Sequence, residues 1–257
     1  MIDQATIEEF NANLCGQLIQ PSDEDYEEAC KIYNAMIDRS PGMIACCADV
    51  ADVMAAVNFA REHDVLVAIR GGGHNGPGLG TCDDGLVIDM SSIKYTRVDP
   101  QARTVQVGGG CTWGDVDHAT HAFGLATPSG VVSTTGVGGL TLGGGHGYLT
   151  RKYGLTIDNL LSADIVLADG RFVTVSAEEN QDLFWAIRGG GGNFGVVTEF
   201  RFQLHPVHTI VGGPTLWHQE QTTEVMQWYR DFMQEAPEDL YGFFAILTVP
   251  PGPPFPE

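Results

Sequence analysis

The stretch IRGGGHNGPGLG, residues 69–80, wraps a run of glycines and one proline around a single histidine, His74. Glycine loses more backbone freedom on folding than any other residue, so ordering this loop is costly. The apolar segment VLVAI at 65–69 precedes the loop and predicts a buried strand. A glycine loop directly after a strand is typical of a site where the backbone closely approaches a ligand.

Glycine is concentrated in the middle of the chain, where 20 of the 33 glycines lie between Gly71 and Gly147. Successive backbone N–H groups in glycine runs form concave sites that bind anions. Three such runs predict a long ligand that makes several phosphate and ring contacts. The runs are RGGGHN (70–75), GVGGLTLGGGHG (136–147) and RGGGGNFG (188–195).

Residues 71–76 also match the G-x-G-x-x-G fingerprint of Rossmann domains, with Asp89 near the distance expected of a ribose-binding acid. That fingerprint requires a helix to begin at the loop, so that the helix N-terminus faces the pyrophosphate. Here Pro77 follows, and the next predicted element is a strand. A second match at 190–195 also leads into a predicted strand. Both matches therefore lack the context that a Rossmann domain needs.

Helical and strand patterns surround the glycine runs and predict an α+β fold. The first forty residues are acidic, with helical apolar spacing from Tyr26 to Ile37. Asp49 or Asp52 is placed to cap a helix that ends near His63. Further helices are predicted over 113–123 and 180–187, strands over 43–47, 65–69, 86–90, 95–99, 104–108 and 194–204, and a hairpin over 163–176 that turns at Asp169-Gly170.

The glycine runs end near Pro206, where we predict a domain boundary. Residues 1–206 form the first domain, with two lobes that divide near residue 100, and residues 207–257 begin a second. The second domain has a helical pattern at 218–235 and a strand pattern, YGFFAILTV, at 241–249, followed by PPGPPFPE. So few elements rarely bury enough surface to fold alone. Either this segment docks against the first domain, or the natural protein continues past Glu257.

Composition excludes several classes of protein. The formal charge is −20 with only 13 Lys and Arg residues, which argues against a nucleic-acid partner. No apolar run approaches the length needed to span a membrane. The start, MIDQATIEEF, lacks the features of a signal peptide, so we expect a cytoplasmic protein. Its six cysteines show no CxxC pair and are expected to be free thiols.

Three motifs in this order carry a specific resemblance. RGGGHN follows a strand, then comes GGLTLGGGHGYLTRKYGLTIDNLLSADIVLADG, then DLFWAIRGGGGNFGVVTEF. Over about residues 20–206 the chain resembles the FAD-linked oxidases of the vanillyl-alcohol-oxidase superfamily, which have a PCMH-type FAD-binding domain. More narrowly it resembles the berberine-bridge-enzyme-like group. The resemblance implies a two-lobed α+β FAD domain, followed by a substrate domain built on an antiparallel sheet.

The resemblance also implies a role for His74, because the histidine of the RGGGHN-like loop forms a covalent bond to the 8α-methyl group of FAD in this family. Some relatives carry a second link through a cysteine, and Val132 stands at that position here. Cys111 lies well before this segment, so attachment through His74 alone is expected. The other implied FAD contacts are Arg70, Gly71, Gly72, Gly73, Asn75, Gly78, Gly130, Val132, Gly138, Gly139, Thr141, Gly144, Gly145, Gly147, Gly195 and Val197. Arg188 either contacts phosphate or pairs with an acid.

No catalytic base is evident before Glu257. His146 and Tyr148 lie near the implied flavin and are weak candidates, with a packing role as the alternative for each. His118 and His121 have helical spacing, but no third metal ligand accompanies them, so no metal site is expected.

The resemblance implies an oxidoreductase that removes hydride from an alcohol, sugar or amine carbon of a small molecule to bound FAD, with molecular oxygen as acceptor and hydrogen peroxide as product. Two alternatives stay open: a dehydrogenase that uses another electron acceptor, and a flavin-binding fragment without enzymatic activity. In the chain as given, the substrate face of the flavin is expected to be open and turnover weak.

Overall fold

The computed structural model describes residues 2–248, which form two compact units divided between His208 and Thr209. The first unit mixes helices with two main sheets, which confirms the predicted α+β class. Its helices are α1 (Gln4–Ala12), α2 (Tyr26–Cys30), α3 (Val50–Glu62), α4 (Trp113–His121), α5 (Val137–Leu142), α6 (Thr150–Tyr153) and α7 (Gln181–Ile187), with a 3-10 turn at Thr156–Asn159.

The first sheet has four strands in the order β1-β2-β4-β3. The central β4 runs parallel to both of its neighbours, and β1 is antiparallel to β2. Helix α3 buries Val53, Ala56 and Phe59 in the same apolar core as Ala45 and Ile88 of the sheet. The strands are β1 (Gln17–Ile19), β2 (Met43–Cys46), β3 (Val67–Arg70) and β4 (Leu86–Asp89).

The second sheet has five strands in the order β5-β6-β10-β8-β9, all antiparallel. Val105, Ile165 and Phe200 are fully buried in its core together with Trp113 of α4 and Ile187 of α7. The chain leaves the first sheet at Asp89 and enters the second at Thr96, which gives two lobes. The strands are β5 (Thr96–Asp99), β6 (Thr104–Gly108), β8 (Leu160–Val166), β9 (Phe172–Ser176) and β10 (Val196–Gln203), and a separate ribbon pairs β7 (Leu125–Ala126) with β11 (His205–Pro206).

The helix cap and the hairpin turn that the sequence predicts are both present, because short-range contacts determine these features. Asp49 caps α3 by accepting from the N–H groups of Ala51 and Asp52. Asp52 is buried instead, where its carboxylate accepts from Cys15, Gly16 and Ala48. The β8–β9 hairpin turns at Asp169-Gly170 as predicted, with Gly170 at φ +83°.

The helical prediction for the first forty residues is wrong beyond α1 and α2. Residues 31–40 form no helix because they bond to the glycine loop across from them. Tyr33 N–H donates to the Gly73 carbonyl, and the Asn34 side chain donates to the Gly76 carbonyl. These bonds replace the helical ladder, so residues 31–37 lie along the loop as a strap.

The second unit contains a 3-10 turn at Gln219–Gln221 and helix α8 (Thr222–Glu235). Residues 241–248 form no strand, contrary to the prediction for 241–249; Val249 and the PPGPPFPE segment lie outside the described residues. A strand needs a neighbour to bond its backbone, and the second unit has no strand among its described residues to pair with it. None of the helices in residues 2–248 is long and apolar enough to cross a bilayer.

Candidate cofactor site

Five successive backbone N–H groups, from Gly71 to Asn75, donate no hydrogen bond to any acceptor within residues 2–248. Such groups are strong donors, and because residues 71–74 are only partly exposed and Asn75 is exposed, they are accessible to water or to a ligand. The loop that carries them leaves β3 and has no helix before β4, so no helical ladder uses these donors. The absence of a helix also removes the Rossmann alternative. The arrangement suits an anion, which several converging N–H groups can bind together.

Gly72 lies in direct backbone contact with Gly136, at the start of the second glycine run. A Cβ atom added to Gly72 would overlap the Gly136 backbone nitrogen and lie 2.6 Å from its Cα, and a Cβ on Gly136 would meet Gly72 in the same way. The Gly109 carbonyl lies 3.6 Å from a Cβ placed on Gly71 and 3.7 Å from one placed on Gly138. Glycine is therefore required where loops from the two lobes meet.

His74 lies at this junction, where Thr134 and Tyr33 make the close contacts with its ring. Its Nε2 atom is 3.0 Å from the Thr134 Oγ1 atom, and its Nδ1 atom is 3.5 Å from the Thr135 Oγ1 atom. The Tyr33 ring stacks on the imidazole at a centroid distance of 3.9 Å and an interplanar angle of 18°. Together these contacts fix the ring plane of a half-buried side chain.

Burial lowers the pKa of His74 below its ordinary value of 6.5. Glu28, Lys31, Arg70 and Asp89 line the same cleft of about 570 Å³, but burial is the dominant cause. The unfolded chain therefore binds this proton first, and the contribution of His74 to stability falls as the pH drops below 6.5.

An NMR titration of the flavin-free chain should show the His74 ring titrating below pH 6.5, with the imidazole neutral at pH 7. His74→Gln identifies the signal by removing it. A midpoint above 6.5 would contradict the assigned environment.

Arg70 does not point its charge at the anion site. Its Nε and Nη2 atoms donate to Asp89 Oδ2 at 2.8 and 2.5 Å, and Nη1 donates to the Ala29 carbonyl at 2.6 Å. Both side chains are buried. The pair ties β3 to β4 and to the end of α2. Because the charge of Arg70 is paired with Asp89, we expect Arg70 to contribute little to anion binding, and the loop amides are the candidate donors.

Asp89→Ala should lower the free energy of unfolding by about 3 kcal/mol or more, because it leaves the Arg70 guanidinium buried without its counter-charge. Urea denaturation measures the change. Asp169→Ala is the matched control, since it breaks an exposed pair with Arg171 and should lower the stability much less. Equal losses in the two variants would show that the Arg70 pair is not important for the fold.

The first half of the second glycine run, Val137–Leu142, forms helix α5, because Val137, Thr141 and Leu142 face the core, whereas residues 143–147 are not helical. Thr141 is fully buried, and its hydroxyl has no partner among the described residues. Gly139 and Gly144 face open space, with no atom within 4 Å of an added Cβ. The remaining predicted contacts of this run lie against protein: Gly145 against Thr156 and Leu140, Gly147 against Ser129 and Gly130, and Gly130 against Leu140.

The third glycine run joins the end of α5, where the Leu142 carbonyl accepts from Gly189 and Gly191. Arg188 lies 3.6 Å from Asp158 and donates to the Ile157 carbonyl at 3.1 Å, so its guanidinium bonds within the protein. Gly195 has φ +143° and lies against Val166 at the entry of β10. Val197 is buried, with its carbonyl against Gly109.

The remaining residues that the sequence predicts for the site make fewer contacts with the glycine runs. Asn75 closes its own loop by accepting from Leu79, and Gly78, at φ +78°, lies against Ile37. Val132 is partly exposed, and His146 and Tyr148 are exposed. All six cysteines are free, and residues 2–248 hold no group of three or more His, Cys, Asp or Glu that could bind a metal.

Sequence reasoning missed four residues of the junction: Tyr33, Gly109, Thr134 and Thr135. Gly109 belongs to a fourth glycine run, Gly108–Gly110, which was a usable signal. The two threonines directly precede Gly136, so their proximity to the second run was also visible. Tyr33 gave no signal, because its contact with His74 depends on the strap that long-range hydrogen bonds create.

These features fit the diphosphate and ring system of a flavin dinucleotide. The five free amides suit a diphosphate, and the open faces of Gly139 and Gly144 leave room that a Cβ would fill. Fold and site together define a dinucleotide-binding domain of two lobes that does not use a Rossmann helix.

Comparison with known proteins identifies the family. The family model of the FAD binding domain matches residues 41–176, and the chain belongs to this family, among the FAD-linked oxidases of the vanillyl-alcohol-oxidase and berberine-bridge-enzyme-like type. It is 39% identical to an FAD-linked oxidoreductase of Dictyostelium discoideum over 96% of this chain and 54% of that protein. The predicted family is confirmed.

Comparison with solved structures supports the same family. The crystal structure of 6-hydroxy-D-nicotine oxidase from Arthrobacter nicotinovorans matches with a TM-score of 0.74 and 38% identity, over 75% of this chain and 43% of that one. Xylooligosaccharide oxidase from Myceliophthora thermophila matches with a TM-score of 0.72 and 34% identity, over 78% and 43%. The chain spans about half the length of the curated relatives that it matches.

Proposed function

We propose that this chain binds FAD covalently through His74 and forms the flavin-binding part of an oxidase that acts on an alcohol, sugar or amine carbon of a small molecule. The observation that supports this most strongly is the position of His74, which belongs to the segment of five free loop amides and lies two residues from the contact of Gly72 with Gly136. Relatives named as nicotine and oligosaccharide oxidases support the substrate classes.

In this proposal the chain binds and orients the cofactor. The amides of Gly71–Asn75 bind the diphosphate, and Gly139 and Gly144 leave space for the ring system. The proposal assigns Gly195 and Val197 to contacts near the adenine end. His74 anchors the flavin, while the Arg70–Asp89 pair holds the loop that carries it.

The chemistry that FAD would supply when bound is hydride acceptance from the substrate, with molecular oxygen as the proposed electron acceptor and hydrogen peroxide as the product. The protein must also take a proton from the substrate O–H or N–H group. His146 and Tyr148 remain the candidates for this step, and their exposure gives either side chain access to a substrate.

Peptide mapping of the flavin-loaded chain tests the proposal. After denaturation in acid and digestion, flavin should appear on the peptide that contains His74 and on no cysteine peptide. Val132 cannot form a thioether, which is the reason for expecting a single link. Flavin on a cysteine peptide, or complete release of flavin on denaturation, would contradict the proposed attachment.

A further inference from the structure

The two nitrogens of the His74 imidazole have unequal partners. Nε2 lies 3.0 Å from the Thr134 hydroxyl, within the usual range of a hydrogen bond, whereas Nδ1 lies 3.5 Å from the Thr135 hydroxyl, beyond that range. Tyr33 covers one face of the ring. The ring therefore has one firmly held nitrogen and one nitrogen whose bonding capacity is largely unused.

A neutral imidazole has one N–H donor and one nitrogen with a free lone pair. Burial lowers the pKa of His74 below its ordinary value of 6.5, which favours the neutral imidazole at pH 7. A nitrogen that forms a new covalent bond must have a free lone pair, and Nδ1 is the one that the geometry leaves available. Nε2 then carries the hydrogen and donates it to Thr134.

We infer that Thr134 is a positioning residue for flavin attachment: its hydroxyl accepts from His74 Nε2–H, which fixes the tautomer and leaves the Nδ1 lone pair to form the bond. This inference rests on the proposed attachment through His74. Thr134 is exposed, so its hydroxyl also connects Nε2 to solvent.

The attachment step balances with oxygen as oxidant. The Nδ1 lone pair forms a bond to the 8α-carbon of the flavin, and that methyl group loses one C–H proton. The alkylated imidazole loses the Nε2 proton through Thr134 to water. The electron pair of the broken C–H bond passes through the flavin to molecular oxygen, which takes up two protons and leaves as hydrogen peroxide. The hydrogen bond to Thr134 assists by placing Nδ1 and by accepting the departing proton.

The experiment follows covalent flavin incorporation when FAD is added to flavin-free chain, measured as acid-stable flavin against time. Thr134→Val should slow incorporation about tenfold, on the scale of one lost hydrogen bond. Thr134→Ser keeps the hydroxyl and should restore the rate to within about twofold of the parent chain. Ser133→Ala is the matched control, because it removes an exposed hydroxyl from the residue next to Thr134.

A second readout needs no flavin. In ¹⁵N-histidine-labelled flavin-free chain, Nε2 of His74 should be protonated and Nδ1 unprotonated, and Thr134→Val should give a mixture of both tautomers. Thermal unfolding should be unchanged, since Thr134 is exposed.

The outcomes separate the inference from the proposed function. If the parent chain takes up no covalent flavin, the attachment through His74 is wrong, whatever the tautomer. If the parent chain becomes flavinylated and Thr134→Val does so at the same rate, or if Thr135→Val is the slower variant, the role of Thr134 is wrong. An Nδ1-protonated ring in the parent chain would overturn it as well.

Discussion

Replacing Gly72 with alanine should lower the free energy of unfolding by about 3 kcal/mol, with loss of FAD binding, because the new methyl group would occupy the place of the Gly136 backbone. Backbone on both sides of this contact leaves no flexible side chain to move aside. The two loops would have to separate, which displaces the backbone amides of residues 71–75. Urea denaturation and FAD titration of the variant measure the two effects.

Gly76→Ala is the matched control for this variant, since it adds a methyl group to the same loop where no atom lies within 4 Å. Its unfolding free energy should stay within about 0.5 kcal/mol of the parent value, as is usual for surface substitutions. A Gly72→Ala chain as stable as the control and equally able to bind FAD would show that the loops do not meet as described.

The importance of Gly72 illustrates what the sequence could predict about this site. Three glycine runs and their order were sufficient to predict a long phosphate-containing ligand and to reject a Rossmann helix. The sequence could not show that Gly72 and Gly136 touch, because they are far apart in the chain and only the packing of the two lobes brings them together. Glycine runs indicate that the backbone is closely approached at these positions, but they do not show which segment approaches it.

The errors in the fold prediction have related physical causes. Residues 31–40 have helical spacing, yet the glycine loop offers the carbonyls of Gly73 and Gly76 as acceptors, and these long-range bonds replace a helix. Helix α5 is the reverse case, because a glycine-rich segment forms a helix there. Its glycines disfavour a helix, but Val137, Thr141 and Leu142 bury one face, and tertiary packing outweighs propensity.

The formal net charge of the chain argued against a nucleic-acid partner, but it did not predict the anion site at the glycine loop. A formal charge of −20 is unfavourable for binding an anionic diphosphate. The structure resolves this conflict locally: the one buried arginine of the loop is neutralised by Asp89, and free backbone amides supply the positive potential instead. Amide donors are set by backbone geometry, so no count of Lys and Arg could have revealed them.

His74→Ala should remove all acid-stable flavin while leaving FAD able to bind reversibly. Alanine has no nitrogen that can form the bond, so covalent incorporation falls from about one flavin per chain to none. The amides of Gly71–Asn75 are backbone groups and persist in the variant, so they still bind the diphosphate. Denaturation in acid followed by centrifugation separates bound from released flavin, and His118→Ala, on the exposed face of α4, is the matched control.

Gly72→Ala and His74→Ala act on different parts of the same site. Comparing them therefore distinguishes loss of FAD binding from loss of covalent attachment. Gly72→Ala should abolish binding by moving the amides, so covalent attachment is lost as a consequence. His74→Ala should abolish attachment alone, because half-burial and the stack on Tyr33 make it a modest contributor to the fold. A His74→Ala chain that keeps acid-stable flavin would place the link elsewhere. A chain that loses reversible binding as well would show that the imidazole, rather than the loop amides, supplies most of the affinity for FAD.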